Sequence, residues 1–235
     1  MSTTDQPLLS IRNLSKKFGK TTALDGVNLE LTGGRIVGLL GENGCGKTTM
    51  LKAIAGVLDG TDGDIRILGQ APGPETKAFT TFLPDVEFLS RAFTLRYCLE
   101  LYDDLFADFD RDRALKMMRN FGFSDGMKLR EMSKGMREKI QIALTMSRRA
   151  KLYLLDEPIS GIDPAARDEI LDTVLNNLAP DSLLVMSTHL IHDLEPAIDT
   201  VVFMRHGRIT LTGNADDLRA EHGLSIDQLF RKVFR

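Results

Sequence analysis

Apolar positions follow two different periods along this chain, and the places where one gives way to the other divide it. Residues 8–31 alternate apolar and polar side chains in LLSIRNLS and VNLEL, which predicts strands, and Gly33 with Gly34 turns the chain into a further strand, IVGLL. Over 50–58 the apolar residues Met50, Leu51, Ile54, Ala55, Val57 and Leu58 share one broad face, which predicts a helix. A glycine-bounded turn at 60–63 then leads to the strand DIRIL.

Between 85 and 150 the texture becomes helical, with Leu95, Leu99, Tyr102 and Phe106 on one face and Met136, Ile140, Ala143 and Leu144 on another. Beyond it, KLYLL, SLLVMS and TVVFM are short, continuously apolar strands separated by helical segments. Strands apolar on both faces belong in a parallel sheet covered by helices. The expected fold class is therefore α/β, a mostly parallel sheet flanked by helices, with an antiparallel β portion at the N-terminal end and a helical insert over 85–150. At the other end, Ile226, Leu229, Phe230 and Val233 line one face while Arg231, Lys232 and Arg235 are available for the opposite one. That segment is either a helix packed on its own domain or one that touches anionic lipid.

Composition narrows the function classes. With 235 residues, 43% of them hydrophobic and 27% charged, the chain can bury a core of one or two closely joined domains. A net charge of -3 and a pI near 5.8 argue against nucleic acid as partner. Cys45 and Cys98 stand in no metal-ligand spacing and nothing requires them to pair, which fits a reducing compartment such as the cytosol. The polar start MSTTDQPLL reads as neither signal nor transit peptide, and no apolar run approaches the ~20 residues a membrane span needs. Any membrane role would pass through another chain.

The strongest chemical signal is GENGCGKT at 41–48, which fills every fixed position of G-x-x-x-x-G-K-[ST] between a strand and a helix. Gly41, Glu42, Asn43, Gly44, Cys45 and Gly46 can curl successive backbone N–H groups around an anion, while the helix that carries Lys47, Thr48 and Thr49 directs its positive end there. Lys47 should reach the β and γ phosphates of a nucleotide and the Thr48 hydroxyl should supply an oxygen to Mg²⁺. Cys45 lies inside this loop, so its alkylation is expected to block nucleotide binding. A second signal is KLYLLDEP, a strand ending in Asp156 and Glu157. At the C-terminal edge of a parallel sheet Asp156 can hold Mg²⁺ and Glu157 can orient or deprotonate water, although D-E-P alone is also ordinary helix-capping chemistry.

GENGCGKTT, the loop MSKGMRE, LYLLDEP, the SGIDP after it and STH at 187–189 stand in the order found in the nucleotide-binding domains of ATP-binding cassette (ABC) transporters, and the resemblance covers nearly the whole chain. It implies a P-loop NTPase core and a single ABC ATPase domain over 1–235, with 1–84 and 151–235 as nucleotide-binding core plus β subdomain and 85–150 as helical subdomain. It implies an Mg²⁺-dependent ATPase, with ATP and Mg²⁺ bound, that closes head-to-tail on a second copy and drives a separate transmembrane permease. The chain would then be cytoplasmic and peripheral on the inner face of the cell membrane. In that family the loop containing Ser133, Lys134, Gly135 and Met136 contacts the γ phosphate held by the other copy, Glu157 serves the attacking water, and His189 corresponds to the switch histidine. Phe18 matches the aromatic that stacks on adenine, and Asp163 matches the loop that touches the other subunit while also suiting a helix cap.

Two positions depart from the family pattern. Lys134 stands where the usual L-S-G-G-Q signature has its first glycine, and Met136 replaces the glutamine. Lys134 either adds positive charge near phosphate or sits solvated at a helix start. Asp85, in TFLPDVEFL, stands where glutamine commonly contacts Mg²⁺ and relays nucleotide state to the membrane partner; aspartate could reach metal only through water. Phe82, Phe88, Phe93 and Tyr97 suit a docking surface for that partner, or fill a core. The signature and the HDLE that follows His189 resemble the ATPases of multidrug, lantibiotic or bacitracin-type exporters. The alternatives are a nucleotide-responsive binding module with little turnover and a soluble cassette ATPase outside transport.

Overall fold

The computed structural model describes residues 7–234. The polar N-terminus read from the sequence falls mostly at residues 1–6, and the basic Arg235 at the other end; both lie outside the described residues. Strands β1 (Leu9–Phe18) and β2 (Thr21–Leu31) form an antiparallel hairpin, and β4 (Asp62–Ile67) pairs with the other side of β1. This small sheet keeps the expected alternation, with Leu9, Ile11, Val27, Leu29 and Leu31 turned inward.

The larger sheet has the order β5-β6-β7-β3-β8-β9. Its strands are β3 (Arg35–Leu40), β5 (Thr80–Leu83), β6 (Leu152–Asp156), β7 (Leu183–Thr188), β8 (Thr200–Arg205) and β9 (Arg208–Asn214). Every pair is parallel except the β8–β9 hairpin. The apolar continuity of LYLL is explained by its two faces. Tyr153 and Leu155 enter a core shared with the helices of the insert, whereas Leu152 and Leu154 enter a second core facing the small sheet and α1 (Lys47–Ile54). A strand buried on both sides has no polar positions to alternate with.

Helix α1 is shorter than its apolar pattern suggests. It stops at Ile54 because Gly56 adopts a left-handed φ of 64° and Val57 N donates back to Lys52 O, a Schellman closure that leaves Val57 exposed. Strand β9 had no counterpart in the sequence reading. Its residues are at most half-buried, so the apolar run that marks β8 is missing, and the His206 and Gly207 turn, both at positive φ, is its signal.

After the short α2 (Pro74–Lys77) and β5, the chain runs through an irregular segment before α3 (Leu95–Leu105), α4 (Arg111–Asn120) and α5 (Lys134–Met146). Each of these three helices starts on a side chain that accepts from the backbone N–H three residues on: Thr94, Asp110 and Ser133. Leu95, Leu99, Ile140, Ala143 and Leu144 are buried as their spacing predicts. Helices α6 (Pro164–Leu175), α7 (Ile191–Leu194) and α8 (Ala215–His222) complete the flanking layer. The last helix, α9 (Ile226–Val233), packs on its own chain: Ile226 and Leu229 are buried, and the Phe230 ring meets Phe203 edge-on at 5.3 Å. Among the described residues no helix is long and apolar enough to cross a membrane.

Candidate active site

The turn between β3 and α1 needs its glycines for two reasons. A Cβ on Gly46, at φ 114°, would stand 2.5 Å from Ala23 O, and one on Gly41 would stand 2.5 Å from both Cys45 Sγ and Met204 O. Gly44, also at positive φ, faces open space, and with Glu42 and Asn43 it forms an exposed crest. No side chain caps the first turn of α1, so its N–H groups there are available to an anion.

Lys47 is only 6% exposed. Its ammonium donates to Gly41 O at 2.7 Å and Glu42 O at 3.3 Å, and lies 3.4 Å from Glu157 Oε1. The Lys47–Glu157 pair is close enough for charge attraction but not aligned as a hydrogen bond, so Glu157 Oε1 is buried without one. Thr48 Oγ1 donates to Asp156 Oδ1 at 3.1 Å, and Ser187 Oγ donates to the same oxygen at 2.6 Å. Thr49, beside it, is half-buried in the same turn.

The parallel register explains how distant residues meet. Asp156 pairs with Ser187 across β6 and β7, so the ends of both strands open at one edge. Glu157 N donates to Ser187, and Glu157 takes a φ of 49°, a conformation that costs an ordinary residue about 1 kcal/mol or more. The turn aims its carboxylate back over the loop, where Oε2 lies 2.9 Å from His189 Nδ1. Ser187 was missed by the sequence reading as a site residue, although its place two positions before His189 on an apolar strand marks it.

Asp156 Oδ2 is buried and has no hydrogen-bond partner among the described residues. A hard cation would satisfy it, and the neighbouring Thr48 hydroxyl completes an all-oxygen donor pair of the kind Mg²⁺ takes when phosphates and water supply the rest. The residues present therefore fit Mg²⁺.

Asp85 lies at the mouth of a cleft of about 60 Å³ that is also lined by Lys134, Glu138, Asp156 and Glu157. Its surface is exposed, yet partial desolvation against the cleft, followed by the charges of Asp156 and Glu157, raises its carboxyl pKa, while Lys134 works in the opposite direction. The structure thus brings Asp85 to the site's edge without a direct bond to Thr48 or Asp156. Burial also raises the Cys45 thiol pKa, with Lys47 partly offsetting it, and the thiol is shielded. The exposed, reactive cysteine that alkylation of the loop requires is not what the fold presents.

The signature loop is placed differently. Ser133 caps α5, with its Oγ accepting from Met136 N at 3.2 Å, and Met136 is half-buried against the core. Lys134 is 63% exposed and pairs with Glu138 at 3.2 Å. A Cβ on Gly135 would meet nothing within 4 Å. Asp163 caps α6 by accepting from Ala166 N. Phe18 ends β1 half in solvent, 51% exposed, with Lys16 Nζ 5.0 Å from its ring centroid. Of the aromatics expected on a docking surface, Phe88 and Tyr97 are exposed, whereas Phe82 and Phe93 are packed against the two cores.

The sequence reading also missed what ties this region together. Arg137, buried in α5, donates to Glu87 Oε1 at 2.8 Å and to Met132 O, and Phe88 N donates to Gln141 Oε1. A phosphate loop, two strand-end carboxylates and a histidine on one edge of this sheet define a cassette ATPase. The chain belongs to the ABC transporter family, whose profile matches residues 24–160. It is 31% identical to an uncharacterized ABC transporter ATP-binding protein, YxlF of Bacillus subtilis (strain 168), over 93% of this chain and 75% of that protein. It is 30% identical to the daunorubicin resistance ATP-binding protein DrrA3 of Streptomyces coeruleorubidus, over 92% of this chain and 71% of that one. A solved ATP-binding subunit of an ABC transporter superposes with a TM-score of 0.87 at 28% identity, covering 97% of this chain and all of the other.

Proposed function

We propose that this chain is the ATP-hydrolysing subunit of an ABC transporter, acting as a single ATPase domain in which 85–150 form the helical part. The observation that carries the reading is the convergence of Lys47, Thr48, Asp156, Glu157 and His189 on one junction at the sheet edge, with Lys47 and Asp156 buried in it. Lys47 is held by two backbone carbonyls and Glu157; a triphosphate would exchange those partners for its β and γ oxygens. The α1 amides would cradle the phosphates and Phe18 would stack on the base. Thr48 and Asp156 would hold Mg²⁺, with Asp85 reaching it at most through water, and Mg²⁺ supplies charge neutralisation on the phosphates. Glu157, freed from Lys47 and oriented by His189, would take the proton of the attacking water. His189 and Lys47 would then face the γ phosphate as its charge moves to the leaving group.

Ser133 is exposed and a Cβ on Gly135 would meet nothing within 4 Å, which supports a second copy closing head-to-tail so that each signature loop completes the other's site, with Asp163 at the seam. The permease would dock beside the exposed Val86, Phe88 and Tyr97, holding the subunit on the inner face of the membrane. Similarity to a drug-resistance ATP-binding protein supports export as the direction. Phosphate release from Mg-ATP tests the reading: Glu157→Gln should lower turnover at least about 100-fold while ATP still binds. A wild-type rate no higher than that of the variant, with the permease present, would leave a nucleotide-responsive binding module in its place.

A further inference from the structure

The cleft beside Asp156 and Glu157 has an unusual charge inventory. Its walls present the carboxylates of Asp85, Glu87, Glu138, Asp156 and Glu157, and Lys134 is the one cation among its lining residues. Most of these carboxylates have partners. Glu87 is held by Arg137 and Arg91, Asp156 by Thr48 and Ser187, and Glu157 by Lys47 and His189. Asp85 has no hydrogen bond or ion pair among the described residues. The Lys134–Glu138 pair is an i,i+4 contact in which Lys134 is exposed and Glu138 largely buried, and Glu138 Oε2 has no hydrogen-bond partner among the described residues, so one ammonium faces two carboxylates, Glu138 and Asp85, that lack full partners.

Lys134 also touches the loop that follows Glu157. Its Nζ sits 3.2 Å from where a Cβ on Gly161 would stand, and Gly161 has a φ of 71°, so the glycine leaves room for the ammonium. The electrostatics agree in direction, since Lys134 favours the charged form of Asp85 against burial and the neighbouring carboxylates.

We propose that Lys134 is a positioning residue that, within its own chain, offsets the carboxylate of Asp85 across this cleft, so that the two departures from the family pattern act as one coupled pair on the loop carrying Glu157. Its effect on turnover rests on the ATPase reading above; its effect on the folded chain does not. Asp85 alone would add one negative charge beside Asp156 and Glu157 and push that loop away, whereas with Lys134 one charge of each sign leaves the local balance unchanged.

A double-mutant cycle tests it with Lys134→Gln, Lys134→Arg, Asp85→Asn and the Lys134→Gln/Asp85→Asn pair. In urea unfolding of nucleotide-free protein near pH 7.5, Lys134→Gln should lower the midpoint by roughly 0.2–0.5 M, and by less than half as much in the Asp85→Asn background. Turnover of Mg-ATP should fall about threefold in kcat, be restored by Lys134→Arg, and lose less to Lys134→Gln once Asp85 is neutral than in the wild-type background. Equal losses in both backgrounds, in unfolding and in kcat, would overturn the coupling, as would a Lys134→Arg variant no better than Lys134→Gln. A chain without turnover but with coupled unfolding would sink the ATPase reading and keep this one.

Discussion

The strand-edge junction and the signature turn are built on opposite plans. At the junction the charged groups are held within the chain: Lys47 and Asp156 are nearly inaccessible, and their bonds to Gly41, Thr48 and Ser187 fix them in place, while Asp156 Oδ2 and Glu157 Oε1 lack a hydrogen-bond partner among the described residues. At the turn, Ser133 and Lys134 are exposed, and Gly135 has empty space where a side chain could stand. A glycine near the start of a helix, in helical φ with no neighbour to avoid, has no folding reason to be glycine. No group of the described chain fills that space. The contrast separates residues held by bonds within their own chain from residues left without them.

Gly135→Ala should break that comparison most visibly. Helix propensity predicts a gain of about 0.5 kcal/mol in stability, since nothing in the chain obstructs the methyl group. A second subunit packed on the glycine predicts the opposite for function, a loss of turnover of about tenfold or more. Urea unfolding and phosphate release, measured on the same preparation, decide between the two plans; unchanged turnover would return the turn to a purely structural role.

Phe18 belongs with the turn in this scheme, an exposed group without an internal task. Phe18→Ala should weaken ATP binding by about 1–3 kcal/mol and leave stability within about 0.5 kcal/mol of wild type. Calorimetric titration checks the first and thermal unfolding the second. A destabilised variant with normal affinity would place the ring in the core instead.

Glu87 joins the two regions, because it fastens the segment after β5 to α5 through Arg137. The hydrogen bond from Arg137 is the main reason its carboxyl pKa lies below the ordinary range, with Arg137 and Arg91 charges adding to it and slight burial opposing. A depressed folded-state pKa means stability that is present above the unfolded value of about 4.3 and is lost as pH falls through the folded one. Glu87→Gln should therefore cost about 1 kcal/mol at pH 7, and the gap to wild type should close below about pH 4. A gap that persists in acid would point to packing rather than charge. The smallest effect concerns Cys45: a buried thiol with a raised pKa should react with iodoacetamide far more slowly than a free thiol at pH 7.5, and faster once the protein is unfolded, which mass spectrometry reads directly.

Much of this was legible where the determinant is local. The glycines, Lys47 and Thr48 sit within eight residues, and the conformations they need are properties of those residues themselves. The cap at Asp163 was visible for the same reason. Strand β9 was not, because an edge strand that buries little carries no apolar run, and α1 was read too long because Gly56 ends it more sharply than periodicity shows. Glu157 was found as a residue but its left-handed turn was not, since nothing about glutamate foretells it.

Short-range chemistry was enough to declare a phosphate-binding strand–loop–helix, an alternating small sheet and a parallel apolar one, because backbone preference and side-chain period act over a few neighbours. It could not declare that Asp156 would share a hydroxyl with Ser187, that Glu157 would lie between Lys47 and His189, or that Asp85 and Lys134 would face one cleft. Those meetings follow from strand order and register, and register is settled by burying both faces of β6 and β7 at once, a property of the packed whole.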